Sequence, residues 1–462
     1  MTLIKSISGI RGTIGGQVGE NLTPIDAVKF ASAYGIWLKQ QRIKENYKVV
    51  VGRDARISGK MIQNLVMNTL IGLGIDVVDV GLSTTPTVEV AVPMEHADGG
   101  IILTASHNPK QWNALKLLNE KGEFLDAVEG AKILDIAESD NMTFADVDSL
   151  GKITRNKAYI DLHIIEVLDL DLVNVEAIES ARFRVVVDGV NSTGGIAIPL
   201  LLEHLGVDVI KLYCEPNGQF PHNPEPLKEH LTDLSDAVRK HKADFGIVVD
   251  PDVDRLAFVD EHGEMFGEEY TLVACADYVL GITPGNTVSN MSSTRALRDV
   301  TEKHGGMYEA SAVGEVNVVN LMKKNKVVIG GEGNGGIIYP ESHYGRDALV
   351  GVALFLSLLA DKKISVSALR KTYPSYFMGK KKIQLTPGLD VDGVLKAMEN
   401  RYQKEQLTTI DGVKIDFSES WVHLRKSNTE PIIRIYTEAK SQEEADALGD
   451  KFIAEIGEIA NS

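Results

Sequence analysis

The sequence predicts an α/β protein with three successive α/β domains of mixed, largely parallel sheets, followed by a smaller α+β domain. Apolar, β-branched runs repeatedly end in Gly, Asp, Ser or Asn and lead into a segment of helical period, which is typical of strand–helix units. These runs are continuously apolar, as expected for parallel strands that are buried on both faces. At 462 residues the chain is also too long for one hydrophobic core.

The strand–helix units follow one another along the chain. The first strand begins near Lys48, and a helix is predicted at about Lys60 to Gly72. Further strands of the same kind are predicted at Val77–Gly81, Gly100–Thr104, Arg184–Gly189, Phe245–Asp250 and Val327–Glu332. After about Ser375 shorter strands alternate with a helical span, at Lys380–Leu385, Val413–Phe417 and Ile432–Tyr436. The predicted domain limits are 1–154, 155–258, 259–372 and 373–462.

Composition excludes several classes of partner. Hydrophobic residues make up 44% and charged residues 24%, and the formal net charge is −17. Nucleic acids and anionic membranes are bound through clustered Lys and Arg, so neither is an expected partner. The two cysteines lack metal-ligand spacing. No signal peptide or membrane span is evident, which predicts a cytoplasmic protein.

The turn Thr104-Ala105-Ser106-His107-Asn108-Pro109 follows one predicted strand and offers a hydroxyl nucleophile. Backbone N–H groups in such a turn can hold an anion, and a phosphoryl group on Ser106 fits that setting. His107 and Lys116 are the nearby groups that can exchange a proton with it. Alone, the turn also fits an ordinary polar turn. Three further polar loops favour the chemical interpretation.

The second loop, Asp250-Pro251-Asp252-Val253-Asp254-Arg255, alternates carboxylates after a buried strand. Asp250, Asp252 and Asp254 can direct hard oxygen ligands toward one cation, and Mg²⁺ prefers such ligands. Arg255 follows directly and is suited to pairing with phosphate.

The other two loops are suited to a sugar and to a phosphate. In Gly331-Glu332-Gly333-Asn334-Gly335-Gly336, glycines let a ligand approach closely while Glu332 and Asn334 can bind neighbouring hydroxyls. The last loop concentrates phosphate-binding groups, with one more arginine farther along: Arg425, Ser427, Asn428, Thr429 and Arg434. No GxxxxGK[ST] motif occurs, so ATP is not the expected phosphate donor.

These four loops, in this order and spacing, resemble the α-D-phosphohexomutase superfamily, and the resemblance covers essentially the whole chain. It implies four domains around a central cleft and the movement of phosphate between the anomeric and 6-hydroxyl positions of a hexose. It further implies that Ser106 is the phosphoserine and that Mg²⁺ is held by Ser106 together with Asp250, Asp252 and Asp254. Arg11 and Lys116 match active-site positions of the superfamily, Lys116 as a candidate for proton transfer.

The resemblance also implies a hexose 1,6-bisphosphate, which serves as intermediate and activator, and a hexose phosphate as the substrate. The form of the third loop is similar to that of archaeal-type members described as phosphoglucosamine mutases or phosphogluco/phosphomannomutases, and glucosamine phosphate is the favoured substrate. Many bacterial members have Ser and His where this chain has Asn334 and Gly336. The general acid/base is therefore open among Lys116, His107 and Glu315.

Two other functions remain open at the level of sequence. Asp250-x-Asp252 after an apolar strand also resembles the nucleophile loop of aspartyl-phosphate phosphatases, which would make Asp250 the phosphorylated residue. That hypothesis leaves Ser106 and the last loop unexplained. A sugar-phosphate sensor without turnover would keep the phosphate loop but has no need of both the serine and the acidic loop.

Overall fold

A computed structural model describes residues 2–6, 9–139, 141–384, 390–426 and 432–460. Contacts divide the chain into two compact units, residues 1–278 with 334–369 and residues 279–333 with 370–462. The acidic loop and the serine turn both lie in the first unit. None of the described helices is long and apolar enough to span a bilayer.

Helices and strands alternate along most of the chain. The described strands are β1 (Ile4–Ser6), β2 (Gly9–Thr13), β3 (Tyr47–Arg53), β4 (Ile75–Leu82), β5 (Gly99–Leu103), β6 (Trp112–Leu118), β7 (Ile153–Arg155), β8 (Arg184–Asp188), β9 (Asp208–Leu212), β10 (Phe245–Val249), β11 (Leu256–Val259), β12 (Thr287–Asn290), β13 (Tyr308–Ser311), β14 (Ile329–Glu332), β15 (Gly336–Ile338), β16 (Phe377–Gln384), β17 (Gln406–Thr408), β18 (Val413–Asp416), β19 (Trp421–Lys426) and β20 (Ile432–Ala439). The described helices are α1 (Pro24–Gln41), α2 (Gly59–Gly72), α3 (Thr85–Met94), α4 (Ala127–Glu138), α5 (Tyr159–Leu168), α6 (Val175–Ala181), α7 (Gly194–His204), α8 (Thr232–His241), α9 (Glu268–Ile282), α10 (Ala296–Lys303), α11 (Glu315–Asn325), α12 (Ala348–Lys362), α13 (Val366–Arg370), α14 (Val391–Arg401) and α15 (Gln442–Ala460).

Two mixed sheets form the first unit. The first has the strand order β1-β2-β6-β5-β3-β4-β7, with β3 parallel to both β4 and β5 and β6 antiparallel to β5. The second has the order β11-β10-β8-β9, with β8, β9 and β10 parallel. The serine turn follows β5 and the acidic loop follows β10. Both are carboxyl ends of parallel-paired strands, the position where α/β sheets bind ligands.

Local sequence explains where two helices of the first unit, α1 and α12, begin. Thr23 and Asp26 form a capping box at the start of α1, and Pro24 occupies its first turn. Asp347 caps α12 by accepting hydrogen bonds from the N–H groups of Leu349 and Val350. Helix α12 is apolar on all sides because it is buried on all sides.

In the second unit, β12 lies between β13 and β14 and is parallel to both. A five-stranded antiparallel sheet in the order β16-β20-β19-β18-β17 forms the carboxyl-terminal part. Mixed sheets followed by this α+β part confirm the predicted fold class. The sequence predicted β16, β18 and β20 but not β17 or β19. The domain limits stay a prediction.

Candidate active site

Ser106 lies just after β5, in a turn with a strained backbone. Its φ of +47° falls in the left-handed region, which residues with a Cβ rarely adopt. The Ser106 Oγ donates a hydrogen bond of 2.6 Å to Asp250 Oδ2, and the His107 Nδ1 lies 3.3 Å from the same Oγ. The structure thus brings the predicted nucleophile into contact with the predicted metal loop.

Arg56 holds the serine turn in place. Its guanidinium donates to four backbone carbonyls, three in this turn and one at the start of β6, those of Ser106, Asn108, Pro109 and Trp112. Its Nε donates to Asp54 Oδ2 at 2.9 Å, and Thr104 donates to the same oxygen at 2.7 Å. All five guanidinium N–H groups are therefore used. These contacts give Arg56 a structural role, which is to hold the serine turn.

We expect Arg56→Met to lower the free energy of unfolding by about 3 kcal/mol or more, because it leaves the buried Asp54 carboxylate without its charged partner and several carbonyls without donors. The measurement is urea denaturation followed by circular dichroism. Arg42→Met is the matched control, since Arg42 forms an exposed pair with Glu120 and its loss is expected to cost less than about 1 kcal/mol. Equal midpoints for the two variants would contradict this role for Arg56.

The three aspartates of the acidic loop converge as the sequence predicted. Asp250, Asp252 and Asp254 are fully buried, and one carboxylate oxygen of each lies within 4.8 Å of the others. Val253 between them has a φ of +65°, which is strained for a β-branched residue. Within the described part of the chain, Asp252 Oδ1 and Asp254 Oδ1 accept no hydrogen bond. Buried oxygens of this kind fit a divalent cation.

Side-chain donors from other parts of the chain contact Asp252 and Asp254, and two of them, Lys116 and Arg346, are basic residues. The Lys116 Nζ lies 2.7 Å from Asp252 Oδ2 and 3.2 Å from Asp254 Oδ2. Arg346 donates to Asp254 Oδ2 at 2.7 Å. Thr85, in the first turn of α3, donates to Asp252 Oδ2 at 2.6 Å. Sequence reasoning missed both Arg346 and Thr85. Arg346 follows no predicted strand, and Thr85 follows the predicted strand Val77–Gly81 in a Ser-Thr run that holds no carboxylate, histidine or cysteine.

The combined effect of burial and neighbouring charges raises the pKa values of Asp250 and Lys116 and lowers the pKa of His107. Burial, with Asp252 and Asp254 nearby, raises the pKa of Asp250 well above its usual range. Burial lowers the pKa of the Lys116 ammonium, but the Asp252 and Asp254 carboxylates outweigh it, so this pKa lies above the ordinary value. Burial and Arg255 lower the pKa of His107 well below its usual range. At neutral pH Lys116 is therefore a cation and His107 is a neutral imidazole.

The two arginines that the sequence predicted for the active site, Arg11 and Arg255, lie beside these loops. Arg255 donates to Glu225 Oε1 at 3.0 Å and is mostly buried. The Arg11 Nη1 on β2 lies 3.5 Å from Asn108 Oδ1 in the serine turn. Arg11 and Arg255 therefore contact, respectively, the turn that holds Ser106 and a carboxylate outside the acidic triad.

The predicted sugar contacts fall in different units. Glu332 ends β14 in the second unit, where its Oε1 accepts hydrogen bonds from Asn290 at 2.8 Å and from the Gly314 N–H at 3.3 Å. Asn334 belongs to the first unit, and its Oδ1 accepts from the Gly336 N–H at 3.2 Å. Glu315 begins α11 in the second unit.

The predicted phosphate loop is described only at its two ends. Arg425 on β19 and Arg434 on β20 are directly opposite one another in the antiparallel pairing. The Arg425 Nε lies 2.8 Å from Asp411 Oδ2, whereas Arg434 is exposed. Like charges at facing positions repel, so an anion between the two guanidiniums would stabilise the pair. Ser427, Asn428 and Thr429 lie outside the described residues.

Comparison with protein families matches four consecutive segments of the chain. They match the models for phosphoglucomutase/phosphomannomutase alpha/beta/alpha domains I, II and III at residues 3–143, 158–263 and 267–376. The corresponding C-terminal domain matches residues 380–455. The matched segments together span most of the chain.

Comparison with known proteins finds relatives of similar length that are named as mutases. A phosphoglucomutase/phosphomannomutase of Thermococcus kodakarensis is 36% identical over 440 residues, covering 94% of this chain and 95% of the relative. A probable phosphoglucosamine mutase of Methanopyrus kandleri is 33% identical over 450 residues, covering 96% of both chains. The crystal structure of a phosphoglucomutase/phosphomannomutase family protein of Burkholderia thailandensis has the same fold, with a TM-score of 0.84, 24% identity and 98% coverage of both chains.

Proposed function

The chain belongs to the phosphoglucomutase/phosphomannomutase family and is an isomerase of the phosphohexomutase type; we propose that it works through a phosphoserine at Ser106. The observation that supports this most directly is the 2.6 Å hydrogen bond from Ser106 Oγ to Asp250 inside a buried acidic triad. A nucleophile and a cation site in contact are what phosphoryl transfer requires.

In the proposed reaction, phospho-Ser106 gives its phosphoryl group to one hydroxyl of a hexose monophosphate. The bond from phosphorus to Ser106 Oγ breaks, a bond from phosphorus to the sugar oxygen forms, and the hydroxyl proton passes to a base. The resulting hexose 1,6-bisphosphate turns around and returns its other phosphoryl group to Ser106. The enzyme ends phosphorylated, and a trace of the bisphosphate keeps it so.

The residues around Ser106 have two kinds of proposed role. Some stabilise negative charge on the phosphoryl group, and His107 transfers a proton. Bound Mg²⁺, held by Asp250, Asp252 and Asp254 beside Ser106, would neutralise charge that develops on the transferring phosphoryl group. Lys116 remains an ammonium ion and adds positive charge at the same place. His107, neutral and 3.3 Å from Ser106 Oγ, is placed to accept or return the proton at that oxygen.

Arginines and polar groups are proposed to hold the substrate. Arg11 and Arg255 orient the transferring phosphate, and Glu332 and Asn334 bind sugar hydroxyls. Arg425 and Arg434, which face each other across two strands, hold the phosphate that is not transferred. Ser427, Asn428 and Thr429 are proposed to complete that site.

We favour glucosamine phosphate as the substrate, because the Methanopyrus relative carries that activity in its name. Broad action on glucose and mannose phosphates is the alternative, in line with the Thermococcus relative. Glucosamine, glucose and mannose phosphates offer similar hydroxyl groups to Glu332 and Asn334. The preferred substrate therefore has to be measured.

The test supplies the 6-phosphates of glucosamine, glucose and mannose in parallel to the protein with Mg²⁺ and a trace of hexose 1,6-bisphosphate. ³¹P NMR then follows the 1-phosphates that form. Preferred conversion of glucosamine phosphate is the expected result, and equal or faster turnover of glucose and mannose phosphates would establish the alternative. Release of inorganic phosphate alone, with an acid- and base-labile phosphate on the protein, would overturn the mutase proposal in favour of a hydrolase.

A further inference from the structure

A second group of metal-ligating side chains lies in the interior of the first unit. The Nε2 of His163 on α5 lies 2.9 Å from Asp347 Oδ2, and the Nε2 of His343 lies 3.2 Å from the same oxygen. The three ligand atoms are within 4.8 Å of one another. His163 and Asp347 are almost fully buried, and the His343 side chain is 13% exposed. The proposed phosphoryl transfer uses none of these groups.

The outer ring nitrogens of both histidines face oxygen atoms. The Nδ1 of His163 lies 3.0 Å from Thr87 Oγ1, and the Nδ1 of His343 lies 3.4 Å from Glu89 Oε2. Thr87 Oγ1 in turn lies 2.7 Å from Thr84 Oγ1, to which it can donate its own hydrogen. Each Nδ1 can therefore carry a proton and donate it outward. A metal-bound histidine usually places its other nitrogen in this way.

With a proton on each Nδ1, both Nε2 lone pairs point at a carboxylate oxygen. A cation between these three electron-rich atoms would satisfy all of them at once. One divalent cation would also offset the negative charge of the buried Asp347 carboxylate.

The backbone between His343 and Asp347 passes close to the other side chains of the cluster. A Cβ at Gly345 would overlap Glu89 Oε2, so glycine at this position lets the carboxylate approach the chain between His343 and Asp347. Asp347 also keeps its other oxygen on the first N–H groups of α12. Helices α3 and α5 and the segment that leads into α12 therefore converge on one small volume, which favours a defined coordination geometry.

We propose that His163 Nε2, His343 Nε2 and Asp347 Oδ2 bind one Zn²⁺-like transition-metal ion, with Glu89 and Thr87 orienting the two imidazoles. Imidazole ligands select such ions over Mg²⁺, whereas the all-carboxylate triad has the opposite preference. The ion anchors the segment from His343 to Asp347, and Arg346 in that segment donates to Asp254 at 2.7 Å. This metal site therefore helps to position the Arg346 guanidinium beside Asp254. It takes no part in phosphoryl transfer.

The experiment first removes bound metals with a chelator and then titrates the protein with Zn²⁺ in excess Mg²⁺, which occupies the acidic triad. We expect one equivalent of Zn²⁺ per chain by elemental analysis. In a separate titration, Co²⁺ is expected to give the visible absorption of an imidazole-ligated ion. His163→Gln and His343→Gln are each expected to weaken binding by at least about 100-fold. Asp252→Asn should leave this binding in place.

His222→Gln is the matched control, because His222 also pairs with a buried aspartate, Asp188, at 2.9 Å but has no second histidine. Zn²⁺ binding in this variant should equal that of the unmodified protein. Failure of the unmodified protein to retain one equivalent of Zn²⁺ would overturn the proposal without reference to any variant. Co²⁺ absorption that survives both His163→Gln and His343→Gln would overturn it as well.

Discussion

Ser106→Ala is expected to reduce mutase turnover by at least about 1,000-fold, because the proposed mechanism places the covalent step on the Ser106 hydroxyl. The variant also loses the hydrogen bond to Asp250, but Arg56 still holds the carbonyl of residue 106. The fold should therefore survive, and thermal unfolding of the purified variant verifies this. The measurement is the rate at which 1-phosphate forms from the preferred hexose 6-phosphate.

A second measurement tests directly whether Ser106 carries the phosphoryl group. Incubation with hexose 1,6-bisphosphate should leave an acid-stable phosphate on the unmodified protein and none on Ser106→Ala, as measured by intact mass. Ser139→Ala is the control, because Ser139 is an exposed serine after α4 whose Oγ donates only to a nearby carbonyl. Wild-type turnover in Ser106→Ala would end the phosphoserine mechanism.

The meeting of Ser106 with Asp250 could be predicted from the sequence although the two are 144 positions apart. Each follows an apolar run that ends in polar residues, and such strand ends are where α/β sheets gather their ligands. The helix predicted at about Lys60 to Gly72 is α2, at Gly59–Gly72, because its apolar period is regular. These features depend on local pattern and on one general rule of sheet topology.

Other parts of the candidate site depend on packing that no local pattern reveals. Arg346 lies 92 positions from Asp254, and no strand ends directly before it. Arg56 lies 50 to 56 positions from the carbonyls that it holds, and only the direction of its donors reveals this role. His163 and Asp347 are separated by 184 positions and belong to different helices or their caps. Tertiary contacts of this range are set by the whole fold.

Asp252→Asn is expected to lower turnover by at least about 100-fold and to raise the Mg²⁺ concentration needed for half-maximal rate. The change keeps the size of the side chain, and an amide oxygen can still accept the hydrogen bond from Thr85. It removes one of three negative charges from the triad, and its nitrogen is not a metal ligand. Lys116 keeps its contact with Asp254, so the fold should be retained.

The Mg²⁺ dependence is measured by turnover of hexose phosphate over a range of Mg²⁺ concentrations. Asp208→Asn is the control, because Asp208 forms a largely exposed pair with Arg184 on the second sheet and touches no residue of the triad. Its Mg²⁺ dependence should equal that of the unmodified protein. If Asp252→Asn lost turnover but kept the same half-maximal Mg²⁺ concentration, Asp252 would act by holding Lys116 and not by binding the ion, since 2.7 Å separates these two side chains.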